Sequence, residues 1–483
     1  MVPPFVERGK AESRPCSLLS RVNIRKGIKG MKKYISFVLL IGLILSLTAC
    51  NNENSSGMMD PPTSQLSLYI PYSYTLQYEE ALEMFEQRYP DVEVTVTRQE
   101  DQNYETARKE YVQILKNEVM AGKGPDLILF TDEFEDVYKT MDAGAFCDLT
   151  PYMQQDADFW NKYSKPVLDG GVYKEKQYVV PLTYTLPLLL SSQENLAGQG
   201  YTLLESGTFS DFTKSIEPFT QTDSSCRAFD ASSVTLWDYL NYSGLNYMDY
   251  ENKTIHVDTD AFRQVVDAYK QVYQQEKQNP LQFPHIYYRG LYTLKNEQTL
   301  FSDLHASHGS SGLMFEANAI SGMDKTPVIS AIPTMDGGLQ ATAYSCAAVR
   351  ANSPNKQNAY NFIKLLSLKD SSSRSTLQYD IPLQTSVAKD LVRIYSSKIT
   401  THIEDLDGSI YPARICPGNF TKQYATVLDR VTSCSLGTAW VSGDLSVTAQ
   451  YLNDCMAPYL NGEKDYETCI RDLETKLSMY LSE

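Results

Sequence analysis

Gly122-Lys123-Gly124-Pro125-Asp126-Leu127-Ile128-Leu129-Phe130 is the stretch on which the fold turns. Its glycines and proline close a helix, and four apolar residues follow without a break. An alternating strand is covered on one face, whereas a strand apolar at every position is buried on both, as in a parallel sheet. The residues upstream fit the same picture. Leu66, Leu68 and Ile70 alternate with Ser67 and Tyr69 as a short strand, and Tyr78, Ala81, Leu82, Phe85 and Tyr89 then share one face of a helix. Tyr89-Pro90-Asp91 ends that helix, because proline disfavours helical backbone at the residue before it. Val92, Val94 and Val96 make a second strand, and Ala107, Tyr111, Leu115 and Val119 a second helix. This alternation predicts an α/β fold, a parallel sheet with helices on both faces.

Downstream, Tyr178-Val179-Val180-Pro181 and Leu186-Pro187-Leu188-Leu189-Leu190 read as extended segments around a turn. Residues 208–278 are helix-rich, with Phe262, Val265, Val266, Tyr269 and Tyr273 on one face. Gly312-Leu313-Met314-Phe315 and Val328-Ile329-Ser330-Ala331-Ile332 read as short strands, and 341–349 as a buried one. Residues 358–366 are amphipathic, and the chain closes on a helix with Tyr466, Ile470, Leu473, Leu477 and Tyr480 on its apolar face. Residues 391–453 match no pattern.

The beginning of the chain is of another kind. Lys32-Lys33-Tyr34 precedes the apolar run 35–47, and Thr48-Ala49-Cys50 follows. A bilayer span needs about 20 apolar residues, so this shorter run suits an export signal. Leu47-Thr48-Ala49-Cys50 resembles a lipobox, where the chain is cut before a cysteine whose thiol is acylated. Residues 1–49 are thus an upstream extension and a signal peptide, with Met31 as the expected true start. Residues 50–65 are then expected to be a lipidated Cys50 and a polar tether. Removing 1–49 takes nine Lys/Arg and two Asp/Glu away, so the net charge falls from −16 to −23. So acidic a body is a poor partner for nucleic acid or for an anionic membrane surface. Seven cysteines remain beyond Cys16 and Cys50, widely spaced and without a C-x-x-C pair. They read as small buried apolar residues rather than a disulfide framework, with one bridge among the last four left open.

Taken in order, several segments resemble the family 1 extracellular solute-binding proteins, receptors of ABC importers that in many cases bind sugars. They are the lipobox, Phe85-Glu86-Gln87-Arg88-Tyr89-Pro90-Asp91-Val92-Glu93-Val94, Gly122-Lys123-Gly124-Pro125-Asp126-Leu127 and Gly144-Ala145-Phe146-Cys147-Asp148-Leu149-Thr150-Pro151-Tyr152. Tyr178-Val179-Val180-Pro181-Leu182, Asn358-Ala359-Tyr360-Asn361-Phe362-Ile363-Lys364 and Ile381-Pro382-Leu383-Gln384-Thr385-Ser386-Val387 extend the likeness over the chain from Leu66 onward. The resemblance implies a two-lobe, periplasmic-binding-protein-like (type II) α/β fold with hinged lobes: 66–185 plus 334–352, and 186–333 plus 353–483. It implies a monomer held to the membrane by a lipid anchor, capturing a small solute for membrane permease subunits. No cofactor or metal is implied.

Ligands of open parallel sheets sit outside the carboxyl ends of the strands. That places Tyr72 and Tyr74 after the first strand, Asp132 after the buried one, and Tyr184 near a crossing. A carboxylate takes paired hydrogen bonds from adjacent sugar hydroxyls, and an aromatic face stacks on the C–H side of the ring. Asp132 reads equally as the cap of a helix starting near Phe134. Trp237, in a polar-aromatic run, and Trp440, between small residues, are candidates for lining the cleft. Glu316 follows an expected strand, and Tyr344 lies in the small-residue strand near a crossing.

Enzyme motifs are missing: no H-E-x-x-H, G-x-S-x-G, P-loop or G-x-G-x-x-G occurs. Asp303, His305 and His308 have metal-ligand residue types, but their grouping reads as chance proximity in a polar loop. A non-enzymatic receptor leads. A secreted glycan-degrading enzyme and a sensor or adhesin reusing the fold are the alternatives, and a polyamine or metal competes with sugar as the solute.

Overall fold

The computed structural model describes residues 62–483 except 72–74, 99–112, 114, 132–136, 233, 284–287, 303–309, 369–380, 398–401, 405–409, 434–435 and 441–445. Strands are β1 Gln65–Ile70, β2 Glu93–Arg98, β3 Leu127–Phe130, β4 Val172–Tyr173, β5 Lys176–Gln177, β6 Val179–Thr185, β7 Leu188–Ser192, β8 Met248–Asp249, β9 Thr254–Ile255, β10 Pro327–Ala331, β11 Leu339–Val349, β12 Ile381–Pro382, β13 His402–Glu404, β14 Ile410–Pro412 and β15 Leu436–Trp440.

The main sheet runs β12-β6-β11-β3-β1-β2, with β15 also on β11. β1 pairs in parallel with β2 and β3, whereas β11 is antiparallel to β3 and β6. The stretch that decides the fold behaves as its composition requires. Leu127 and Leu129 join one apolar core with Leu66, Leu68, Phe85, Tyr360 and Phe362. Ile128 and Phe130 point the other way, into a core with Tyr69, Phe146, Cys346 and Ala348. This is the two-residue period of a strand covered on both faces. Helices Thr75–Arg88 and Lys356–Ser367 lie on the first face, where the Phe85 and Phe362 rings meet at 5.4 Å. A third core gathers Phe209, Phe212, Leu236, Tyr239, Phe262, Val265, Leu452, Met456, Ile470, Leu473 and Leu477. β7 and β10 separate it from the first core: Leu188 and Leu190 belong to the first, Leu189 to the third.

Before β3, the turn is fixed by charge and by backbone. Gly122 has φ +69°, and a Cβ there would meet Asn352 Nδ2 at 2.6 Å. Asp126 is almost wholly buried. Its carboxylate accepts from Ser67 N–H (2.8 Å) and Ser67 Oγ (2.6 Å), from Asn355 Nδ2 (2.9 Å) and from Ser353 Oγ (2.7 Å), with the Arg350 guanidinium at 3.3 Å. Arg350 also donates to the carbonyls of Gly122 (3.1 Å) and Pro125 (3.2 Å). This one carboxylate therefore ties together β1, β3, the end of β11 and the start of helix Lys356–Ser367.

One expected strand is a helix. Gly312-Leu313-Met314-Phe315 lies inside helix Ser310–Gly322, where Met314, Ala317, Ala319 and Ile320 are buried. A short apolar run is compatible with a buried strand or with a helix packed on several sides, and periodicity does not separate the two. Cys147, Cys226, Cys346, Cys416, Cys455 and Cys469 are buried, as expected of small apolar residues, and Cys434 lies outside the described residues. Met31, Cys50 and the Asp303-His305-His308 group lie outside the described residues. Among the described residues, no helix is long and apolar enough to cross a membrane.

Candidate binding site at the bulge of the central strand

β11 changes partner halfway along. Its first half, Leu339 to Ala343, pairs in parallel with β15, and its second half, Cys346 to Val349, pairs with β3. Between the halves the register with β6 slips: Ala343 faces Tyr184 and Ser345 faces Thr183, so Tyr344 has no opposite number. An extra residue of this kind bends the strand, increases its twist and re-aims a side chain. Ser345 N–H donates to Thr183 Oγ1 at 3.2 Å, a side-chain bond within the irregular stretch. Tyr344 is half-buried, whereas its neighbours on both sides are buried.

Helix Leu236–Tyr242 lies beside the first half of β11. It starts on a capping box: Thr235 Oγ1 accepts from Asp238 N–H, and Asp238 accepts from Thr235 N–H at 2.8 Å. It ends at Ser243-Gly244, where Gly244 has φ +68° and a Cβ would meet Thr334 Cγ2 at 2.6 Å. Leu236, Tyr239, Leu240 and Tyr242 are buried, which leaves Trp237, Asp238 and Asn241 half-buried. Trp237 and Asn241 are four residues apart and share a face. Asn241 Nδ2 donates to Thr342 Oγ1 at 2.9 Å, and Gln340 Nε2 donates to Asn241 Oδ1 at 3.4 Å. Gln340, Thr342 and Tyr344 alternate along β11, so an amide, a hydroxyl and one aromatic ring share a face of the strand, with Asn241 bonded to the first two.

The structure brings some sequence candidates together and separates others. Tyr344 sits at the bulge, Trp440 ends β15 opposite Ala343, and Trp237 lies on the neighbouring helix with its ring against the third core. Tyr184 stands at the same register level on β6, but it is fully buried; burial and the nearby Tyr424 push its phenol far above the ordinary range. Its place is thus in the core rather than on an accessible wall. Glu316 is half-buried in the middle of helix Ser310–Gly322, which packs on β7, β10 and helix Thr385–Ser397, away from β11. Tyr72, Tyr74 and Asp132 lie outside the described residues; β1 and β3, which lead to them, end at Ile70 and Phe130, with Phe130 beside Cys346. Sequence reasoning missed Asn241, Gln340 and Thr342, because their meeting is made by residues about a hundred positions apart. Among the described residues, no three His, Cys, Asp or Glu side chains gather as a metal site.

A family described as bacterial extracellular solute-binding protein matches residues 80–398. No curated protein matches the chain. Among solved structures, the sugar-binding protein MalE from the phytopathogen Xanthomonas citri is similar at a TM-score of 0.60 and 14% identity, over 86% of this chain and 97% of that one. A cyclic alpha-maltosyl-1,6-maltose binding protein from Arthrobacter globiformis gives 0.57 and 12%, over 87% and 99%. An ABC substrate-binding protein from Listeria monocytogenes in complex with cycloalternan gives 0.54 and 15%, over 86% and 99%. At these identities the likeness is one of fold: the mixed α/β architecture is that of the periplasmic binding proteins.

Proposed function

The chain belongs to the bacterial extracellular solute-binding proteins, and on that premise we propose that it is the capture subunit of an ABC importer for a mono- or oligosaccharide. The observation that carries this reading is the bulge of β11. There one strand passes between two sets of partners, and half-buried Tyr344 follows the hydrogen-bonded Gln340 and Thr342 along one face. Trp237 and Tyr344 supply faces for the C–H side of a sugar ring, with Trp440 on the strand opposite. Asn241, half-buried and held by the buried Gln340 and Thr342, supplies a donor and an acceptor for ring hydroxyls. Amide and hydroxyl partners suit an uncharged solute. The lobes are 66–185 plus 334–352 and 186–333 plus 353–483, the chain passing between them after β6 and before β11, with helix Lys356–Ser367 packed back on the sheet of the first. Bending at the bulge closes one lobe on the other, and the closed form delivers the solute to the permease. The molecule performs no bond chemistry and works as a monomer.

A panel of mono- and oligosaccharides is expected to yield at least one that raises the melting temperature. At a hundredfold excess over Kd the gain is about 2.7 kcal/mol, roughly 3 °C for a chain of this size. No shift with any sugar, together with a shift from a polyamine, would transfer the reading to a cationic solute. The anchor is tested separately. Cys50→Ser is expected to abolish palmitate labelling and to move the protein from the membrane fraction to the medium, whereas unchanged fractionation would exclude acylation at Cys50.

A further inference from the structure

On the face of the sheet that carries Ala343 and Cys346, three surface elements meet around one carboxylate. Helix Val137–Asp142 brings Tyr138, Lys139 and Asp142. The β4–β5 hairpin brings Tyr173 and Lys174, and the β8–β9 hairpin brings Tyr250, Glu251 and Lys253 across from it. The Tyr138 and Tyr250 rings stack at 4.3 Å with 16° between their planes. Tyr173 Oη lies 3.0 Å from Asp142 Oδ1 and 3.3 Å from the Tyr250 carbonyl, placed to donate to either. Lys174 N–H donates to Glu251 Oε1 at 2.9 Å. Asp142 pairs with Lys174 from its own side and with Lys253 at 3.7 Å from the facing hairpin. The C-terminal helix Tyr466–Ser482 adds to the same seam: Lys139 Nζ lies 3.6 Å from the Tyr480 ring centroid and 3.9 Å from Glu483 Oε2.

Both hairpin tips are strained. Lys174 (φ 48°), Glu175 (φ 62°) and Lys253 (φ 54°) occupy left-handed backbone. A two-residue hairpin turn with both φ positive normally takes Asn or Gly. Strain of this kind persists where surrounding contacts over-determine it, and here those contacts come from the opposing hairpin. The Lys174 and Lys253 side chains are about half exposed, so each ion pair taken singly is weak. The stack, the shared carboxylate and the backbone bond act together.

We propose that this seam is a latch between the lobes, joining residues 138–142 and 173–174 of one to 250–253 and 480–483 of the other, and that its strength sets how much of the unliganded receptor is already closed. The proposal rests on the two-lobe reading above. Apparent affinity scales with the fraction of molecules that are binding-competent, so releasing the latch weakens capture without touching the site. A latch that holds the closed-to-open ratio at about 10:1, and leaves it near 1:1 when released, lowers the competent fraction from about 0.9 to about 0.5 and so raises Kd about twofold.

The test is small-angle scattering of ligand-free mature protein, with Kd for maltotetraose measured alongside. Asp142→Ala combined with Tyr250→Ala is expected to increase the radius of gyration while keeping the near-ultraviolet dichroism of the folded wild type. Where that pair disturbs folding, Lys174→Ala with Lys253→Ala gives the same readout from the opposite charges. Folded variants with a wild-type radius overturn the latch, whether or not maltotetraose binds. An enlarged radius in a protein that binds no saccharide leaves the latch standing and removes the carbohydrate reading. Wild-type radius with maltotetraose still bound does the reverse.

Discussion

Replacing Asp126 by alanine is expected to cost about 3–5 kcal/mol of folding stability, read as a lower urea midpoint at unchanged slope. The substitution leaves the Arg350 guanidinium buried without its carboxylate, and it strands the donors of Ser67, Ser353 and Asn355. Removing one partner of a buried pair is costly because the other cannot regain its water. Asp126→Asn keeps the shape and one acceptor oxygen, so its loss is smaller. The dependence on pH separates the two effects. Burial alone would raise the Asp126 carboxyl, but hydrogen bonds from Ser67, Asn355 and Ser353 hold it below its ordinary value. A carboxyl depressed on folding contributes stability that is fully present above its unfolded pKa, about 3.9, and is lost as pH falls through the folded value. Wild type should therefore lose stability on acidification below about pH 4, and Asp126→Asn should show less of that slope.

Trp237→Ala is expected to weaken capture of the cognate saccharide about thirtyfold, or about 2 kcal/mol, by isothermal calorimetry. Aromatic anchors carry a large share of binding energy where they stack on a ligand in a partly dry pocket. The side chain is half-buried and packs against the third core, so the melting temperature should also fall, and binding is compared at a temperature where both proteins are folded. Asn241→Ala should act alongside it by freeing the Thr342 hydroxyl and the Gln340 amide from their shared partner. If Trp237→Ala binds like wild type while remaining folded, the site lies elsewhere on the cleft.

How far the sequence carried depended on the range of each interaction. Leu127 to Phe130 announced a doubly covered strand because burial on two faces leaves a mark at every residue. The 341–349 strand and the closing helix were legible for the same local reason. The segment after Gly312 misled, since four apolar residues carry no period. β15 went unrecognised because its pairing with β11 is specified by the partner strand rather than by its own alternation. Of the proposed site, Tyr344 could be picked as an aromatic near a crossing and Trp237 as part of a polar-aromatic run, but the bulge at one and the amide bridge beside the other depend on distant segments. Tyr184 failed as an accessible candidate because nearness to a crossing in sequence does not say which face of the strand a side chain occupies.

The position of β11 also bears on synthesis. It fills the slot between β3 and β6, and Ser345 meets Thr183 across 162 positions of chain. Until residue 349 has been made, the sheet lacks its middle, and the first 185 residues cannot complete their own core. Contacts this remote make for slow folding. A polypeptide slow to collapse remains threadable, which is the condition a chain must be in to pass through a narrow translocation channel before it takes its final shape outside the cell.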